Sequence, residues 1–328
     1  MSQLTDALEI DPAAETERIL AFLRDTVHHA MRRHGAVVGV SGGVDSSVVL
    51  ALAVRAFGPG RVVAIMLPER DSDPESERLA RDVARRFGVE PALEDMTPAL
   101  EGFQCYQRRD EAIRRVFPGY DPGSGDKARI TLPQGLLERD GFNVPSLTVI
   151  GPPGEASSRT PGRSEYLQIV AATNFKQRSR MAMLFYHAES RHFAVVGTAN
   201  KNEHDQGFFV KFGDGGADVQ PIVHLYKTQV YRLAEFLGVP KEIRRRPPTS
   251  DTYAAGSTQE EFFFRLPFAT MDLLWSAQER NVPVEDVARE AGLTAEQVQR
   301  AFHDFERKRR TTEYLRMVPA AMVPPQLC

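Results

Sequence analysis

Apolar residues recur at helical spacing from Ala14 to Arg33 (Ile19, Phe22, Leu23, Val27, Ala30), and the pattern stops before Gly35. The run Ala36-Val37-Val38-Gly39-Val40 that follows is short, apolar and unbroken, as expected of a strand buried on both faces. Ser46 to Phe57 reads as a helix ended by Gly58 and Pro59, and Arg61 to Leu67 as a second strand. Asp73-Pro74 supplies an oxygen cap and a first-turn proline for a helix running to Phe87 and Gly88. Pro91 to Asp95 can form a third strand. Strand and helix in regular alternation predict an α/β fold, with a doubly wound, mostly parallel sheet and helices on both faces.

The alternation breaks between Gln104 and Gly162, a stretch with seven prolines, many glycines and no sustained period. A long loop of this kind inside a compact domain predicts a functional flap or an insertion. Order resumes with a helix over Ser164 to Ser190, a strand over Phe193 to Gly197 and a helix over Lys227 to Leu237. Pro240, Pro247 and Pro248 mark a second loop, and Phe268 to Arg310 is helical, with Thr294 and Gln297 spaced as a capping box. Val284 to Phe302 has a faint helix-turn-helix outline, read here as two packed helices. The expected organisation is one nucleotide-binding domain over residues 1–270, with a flap inserted at about 104–162. Residues 271–328 form a C-terminal helical segment of the same domain.

Composition narrows the function classes. The 328 residues are 42% hydrophobic and 26% charged, ordinary for a globular chain, and the net charge of −3 gives no general attraction to nucleic acid. The runs Arg244-Arg245-Arg246 and Lys308-Arg309-Arg310 read as solvated faces or local anion contacts. Cys105 and Cys328 have no metal or redox spacing, and together with the acidic N-terminus they point to a cytoplasmic protein. No apolar run approaches the roughly 20 residues that span a bilayer.

The chemistry concentrates at Ser41-Gly42-Gly43-Val44-Asp45-Ser46-Ser47, between the first strand and its helix. A helix N-terminus presents unpaired amides and the positive end of the dipole, so it favours phosphate. Gly42 and Gly43 allow close backbone approach, and the Ser41, Ser46 and Ser47 hydroxyls can donate. Asp45 would repel phosphate directly but suits a Mg2+ ion beside pyrophosphate. The Lys-Ser or Lys-Thr pair of the kinase and GTPase loop does not follow the glycines. The segment instead resembles the PP-loop of ATP pyrophosphatases, which activate a carboxyl, carbonyl or amide oxygen by adenylation and release pyrophosphate.

A second block, Gly197-Thr198-Ala199-Asn200-Lys201-Asn202-Glu203, follows a strand and so falls at the carboxyl end of the sheet. It leads to Lys211-Phe212-Gly213-Asp214-Gly215-Gly216-Ala217-Asp218 on a glycine-rich turn. With Asn174 to Met181, Leu225 to Gln229 and Pro247 to Asp251, these blocks resemble the ammonia-dependent NAD synthetase family, and the similarity covers most of the chain outside the insertion. The resemblance implies an adenine nucleotide alpha hydrolase-like fold and an ATP-dependent carbon-nitrogen ligase of NAD biosynthesis, in which ammonia converts deamido-NAD to NAD. By the same resemblance Gly39, Ser41, Gly42, Gly43, Asp45, Ser46, Thr198, Lys227 and Thr249 bind ATP. Asp45 and Glu203 hold Mg2+, while Arg178, Lys211, Asp214 and Asp218 bind the deamido-NAD substrate. Asp45, Lys211 and Lys227 carry catalysis. The expected assembly is a homodimer, with ammonia taken from solution or from a separate glutaminase.

Three features depart from the family pattern. Its Thr-Glu-His-Lys-Arg stretch reads Thr312-Glu313-Tyr314-Leu315-Arg316 here, which removes two donors to an anionic ligand. Its acidic loop reads Gln259-Glu260-Glu261-Phe262-Phe263-Phe264, and the 104–162 segment falls toward the acceptor. Two further readings therefore stand beside NAD synthesis: a related amide ligase for another carboxylate, and a catalytically degenerate ATP-binding protein. Retention of Asp45, Glu203, Lys211 and Lys227 argues against the last.

Overall fold

The structure is a computed structural model that describes residues 3–133, 135–138, 144–152, 154–249, 253–256 and 258–322. Ser250, Asp251 and Cys328 lie outside these residues.

Helix α1 (Gln3–Asp6) precedes α2 (Pro12–Arg24). In α2, Asp11 accepts from the amides of Ala13 at 2.9 Å and Ala14 at 3.2 Å, and Pro12 takes the first position. A wider turn over Asp25–Ala30 ends this helical stretch short of Arg33. Strand β1 (Ala36–Gly39), helix α3 (Val44–Phe57), strand β2 (Val62–Met66), helix α4 (Pro74–Arg86) and strand β3 (Ala92–Leu93) follow in alternation. Next come α5 (Thr97–Gly102), α6 (Cys105–Val116) and strands β4 (Lys127–Thr131), β5 (Ser146–Ile150) and β6 (Ala156–Arg159). Helix α7 (Arg163–Glu189) leads into β7 (Ala194–Val196), followed by α8 (Lys201–Gln206), α9 (Lys227–Leu237) and α10 (Lys241–Arg245). The chain continues through α11 (Phe268–Glu279), α12 (Val284–Ala291), α13 (Ala295–Thr311) and α14 (Glu313–Arg316).

The main sheet has the order β3-β2-β1-β7 and is parallel throughout, with Ala36 opposite Val62 on one side and Ala194 on the other. Side chains alternate faces along a strand. Val37, Ile65 and Val195 pack with Ala188 and Leu184 of α7, while Val38, Ala64, Met66 and Val196 join Val48 of α3 and Val230 and Leu233 of α9. Both faces are covered, which is why these strands read as unbroken apolar runs. The C-terminal helices close a second core around Phe264, Phe268, Met271, Trp275, Val298 and Phe305, which Leu4, Leu8 and Tyr226 also enter.

One expectation is corrected. The 104–162 stretch carries regular structure: α6 is a twelve-residue helix, and β4, β5 and β6 form an antiparallel sheet. The helical period of α6 is hidden because its inward face includes Arg109 and Asp110 beside Tyr106, Ala112 and Ile113. In β4 the period of two rests on Ala128 and Ile130 alone, between more exposed Lys127, Arg129 and Thr131. This sheet packs through Ile130 and Leu147 against Tyr253, Ile169 and Phe262.

Candidate active site

The carboxyl ends of β1, β2 and β7 open into a cavity of about 620 Å³. Gly39, Ser41, Gly43, Asp45, Ser46, Thr198, Glu203, Asp214 and Thr249 all line it. Gly42 does not, and its role is different. It has φ +75°, and a Cβ there would stand 2.5 Å from the Ser76 carbonyl oxygen, so the loop lies on the first turn of α4 as only glycine allows. Gly43 caps α3 without a side-chain acceptor, which leaves the first amides of the helix directed to the cavity. Ser47 turns inward and donates to the Gly43 carbonyl at 2.7 Å; Ser46 does the same at 3.1 Å and accepts from the Ser41 amide at 3.3 Å.

Asp45 and Glu203 meet through Asn200. Its Nδ2 donates to Asp45 at 3.0 Å, and its backbone amide donates to Glu203 at 3.3 Å. Asn200 caps α8, its Oδ1 accepting from the Glu203 amide at 3.0 Å. The same capping box therefore orients one member of the carboxylate pair. Gln259 donates to the other Glu203 oxygen at 3.0 Å. Burial first, and then the Asp45 charge, push the Glu203 carboxyl up to about 8.

Lys227 is fully buried behind the cavity, and its Nζ pairs with Asp45. Burial works against its charge, but Asp45 and Glu203 outweigh that and hold its pKa above the ordinary lysine value. A cation opening a helix opposes the dipole. Here Asn202 accepts from the Lys227 amide at 2.9 Å and Asp272 from the Thr228 amide at 2.8 Å, which satisfies that end. Asn200, Asn202 and Gln259 stand in the sequence blocks without an assigned role, and Asp272 lies outside them; the Asn-x-x-Glu spacing of Asn200 and Glu203 is the local signal of their arrangement.

Two carboxylates from separate helices, joined through Asn200 and with Lys227 paired to Asp45, are hard oxygen donors that would fit a divalent cation. Among the described residues no three His, Cys, Asp or Glu groups gather as a metal cluster.

The residues expected to hold the acceptor are less closely gathered. Asp214 lines the cavity and accepts from the Val210 amide at 2.8 Å, and the surrounding protein pushes its carboxyl up to about 6. Lys211, Arg178 and Asp218 are not among the lining residues. Lys211 Nζ donates to the main-chain oxygens of Tyr314 at 3.0 Å and Met317 at 2.7 Å, with the Tyr314 ring 4.4 Å away. Arg178 donates to the Lys211 carbonyl at 3.2 Å, and Asp218 accepts from the Val195 amide at 2.8 Å. Leu315 lines the cavity, as do the apolar or aromatic Phe208, Phe262, Phe263 and Tyr253.

Comparison with known proteins gives a consistent result. The sequence model of the NAD synthase family matches residues 15–116 and 146–319, so the interruption is narrower than 104–162. The NH(3)-dependent NAD(+) synthetase of Rhizobium meliloti (strain 1021) is 51% identical over 319 residues, 97% of this chain and 94% of that protein. The enzyme of the same description from Thermotoga maritima is 37% identical over 294 residues, 90% of this chain and 96% of that protein. The NH3-dependent NAD synthetase of Campylobacter jejuni, solved with a nitrate ion, shares the fold at TM-score 0.61 and 19% identity, over 96% of this chain and 100% of that one.

Proposed function

This chain belongs to the NAD synthase family, and on that premise we propose that it amidates deamido-NAD to NAD with ATP and ammonia. The observation that carries the reading is the assembly of Asp45, Asn200, Glu203 and Lys227 on the phosphate-loop end of the cavity.

A carboxylate does not condense with ammonia in water without activation. The acceptor carboxylate oxygen attacks the α-phosphorus of ATP, the bond from that phosphorus to the α,β-bridging oxygen breaks, and pyrophosphate leaves with that oxygen. Ammonia then attacks the acyl carbon, loses a proton, and AMP departs with the carboxyl oxygen it acquired. The amides at the start of α3, with Ser41 and Ser46, hold the departing phosphates. Lys227 fixes Asp45, and Asn200 fixes both Asp45 and Glu203. These two carboxylates would hold Mg2+, which supplies charge neutralisation on the pyrophosphate. Asp214, whose carboxyl titrates near 6, faces the cavity as the group suited to take a proton from ammonium. Arg178, Lys211 and Asp218 would contact the dinucleotide from the rim, and Thr198 and Thr249 the nucleotide from the cavity wall.

The chain is proposed to act as a homodimer. Helix α7 carries apolar residues around its whole circumference, with Leu167 and Tyr186 left 52% and 63% exposed, as suits a helix covered by a second copy. Among the described residues no helix is long and apolar enough to cross a membrane.

The test follows pyrophosphate and NAD together, from ATP, Mg2+, ammonium and deamido-NAD. Equal amounts of AMP, pyrophosphate and NAD are expected. Leu315, an apolar residue in the cavity wall, favours one second reading, in which another carboxylate is the acceptor. ATP binding with no turnover of deamido-NAD would select it.

A further inference from the structure

The wall of the cavity after β2 is a turn, residues 67–73, that presents Leu67, Pro68, Ser72 and Asp73 to the interior. Its other side chains point away, into a buried ionic cluster that the chemistry above does not use. Lys176 of α7, 1% exposed and among the largest fully buried side chains, donates to Glu69 at 2.8 Å and to Asp71 at 2.6 Å. Tyr106 of α6 donates to the second Glu69 oxygen at 2.6 Å. Arg109 pairs with Asp71 and also, at 2.8 Å, with Asp110. Arg70 lies over the Tyr106 ring at 3.8 Å. Three cations thus face three carboxylates. Burial pushes the Asp71 carboxyl up, but the Lys176 and Arg109 charges outweigh it and bring it down to about 2, so Asp71 is ionised at neutral pH. Burial and the Glu69 bond hold the Tyr106 phenol above its ordinary range, and it stays a donor.

Buried ion pairs are poor sources of net stability, since well-packed apolar groups often serve as well, but they fix geometry because each partner must be met. What this cluster fixes is the turn. Asp71 and Glu69 are its own side chains, and the Asp71 amide is bound to Glu69 at 3.1 Å. One helical turn beyond Lys176, Arg180 donates to the Leu67 carbonyl at 3.0 Å and to Ser72 Oγ at 3.3 Å, and itself lines the cavity. Helix α7 therefore grips the turn from behind with Lys176 and from the front with Arg180. The turn runs directly into α4, whose first turn supports Gly42 of the phosphate loop.

We propose that Lys176 is a positioning residue for the nucleotide: through Glu69 and Asp71 it sets the 67–73 wall, and with it the floor of the phosphate loop, for ATP rather than for the acceptor. The inference rests on the reading that this cavity binds ATP. Direct ATP binding, measured by calorimetry without acceptor or ammonia, therefore keeps the two apart. No binding by the unaltered chain would remove that reading, and the inference with it. Given binding, Lys176→Met is expected to weaken ATP affinity about tenfold, while in turnover the KM for deamido-NAD stays within about twofold. A residue that merely stabilised the fold would lower the active fraction and leave both constants of the folded fraction unchanged. Tyr106→Phe, which keeps the ring and removes one donor to Glu69, covers the case in which Lys176→Met does not fold; about a threefold loss of ATP affinity with a cooperative melt is expected. Unchanged ATP affinity in Tyr106→Phe, or a parallel rise of both KM values in Lys176→Met, would overturn the assignment.

Discussion

At the phosphate end of the cavity, side chains answer one another at close range: Asp45 to Lys227 and Asn200, Glu203 to Asn200 and Gln259, the whole group packed against helices α3, α8 and α9. At the end proposed for the acceptor, Lys211 is held by main-chain oxygens of a segment a hundred residues away, Arg178 leans on the Lys211 backbone, and phenylalanines and Leu315 line the cavity. The first end is rigid before any ligand arrives, as catalysis by electrostatic preorganisation requires. The second holds its cation through neutral partners, which an anionic ligand can displace at modest cost. On the proposed function, chemistry common to every acceptor would sit on the first end, and the identity of the acceptor would be read at the other.

The largest effect is expected where the rigid end loses an anchor. Asp45→Ala should abolish pyrophosphate release, a loss of at least about a hundredfold, because a carboxylate proposed to hold Mg2+ is removed and Lys227 loses its partner. Retained turnover would break the comparison outright. Lys227→Met comes next. It leaves Asp45 and Glu203 facing each other unrelieved, and removal of one partner from a buried pair costs about 3–5 kcal/mol. A chemical melt should show that loss, and added Mg2+ should recover part of it, since the cation replaces the missing charge.

How much of each end could be read in the sequence follows from the same contrast. The phosphate loop is contiguous, and a strand, two glycines and a helix start lie within a dozen residues, so Asp45 and its amides were legible. Glu203 could be placed at the carboxyl end of the sheet because its block follows a strand, and it lines the cavity there. Lys227 is expected on ATP only by resemblance, and the partner that the structure gives its ammonium is Asp45. What escaped notice are contacts between remote segments. Helix α6 has no legible helical period because Arg109 and Asp110 occupy its buried face, and nothing local says that Arg109 and Lys176 would meet on Asp71. The tether from Lys211 to the Tyr314 and Met317 carbonyls uses backbone atoms, which no residue pattern records.

Two intermediate effects sharpen the acceptor side. Asp214 has its carboxyl raised to about 6, so the base form is lost as pH falls through that value, and turnover should fall with it at saturating ammonium. Asp214→Asn should lower kcat and remove this acid limb. A limb that persists in the variant would move the proton acceptor elsewhere. Ile130→Ala opens a void behind Tyr253 and Phe262, with a cost of about 2–4 kcal/mol for a buried isoleucine. Its kinetic signature should be a higher KM for the acceptor at nearly constant KM for ATP, if those two rings, which line the cavity, touch the acceptor as proposed.

The smallest expected effect is the most discriminating for the acceptor end. Tyr314→Ala removes a ring that stands 4.4 Å from Lys211 Nζ but leaves the carbonyl at residue 314 that the same Nζ uses. Tyr314 is 67% exposed, so the contact is worth only about 0.5–1 kcal/mol. If the ring simply steadies Lys211 at the rim, the KM for deamido-NAD should change by no more than about fivefold, at constant kcat and constant ATP affinity. A larger loss confined to the acceptor would mean that the tyrosine touches the substrate itself, in the place where the family pattern carries histidine. A change in ATP affinity would show that the C-terminal segment reaches across the cavity, and the division into a rigid nucleotide end and an exchangeable acceptor end would fail.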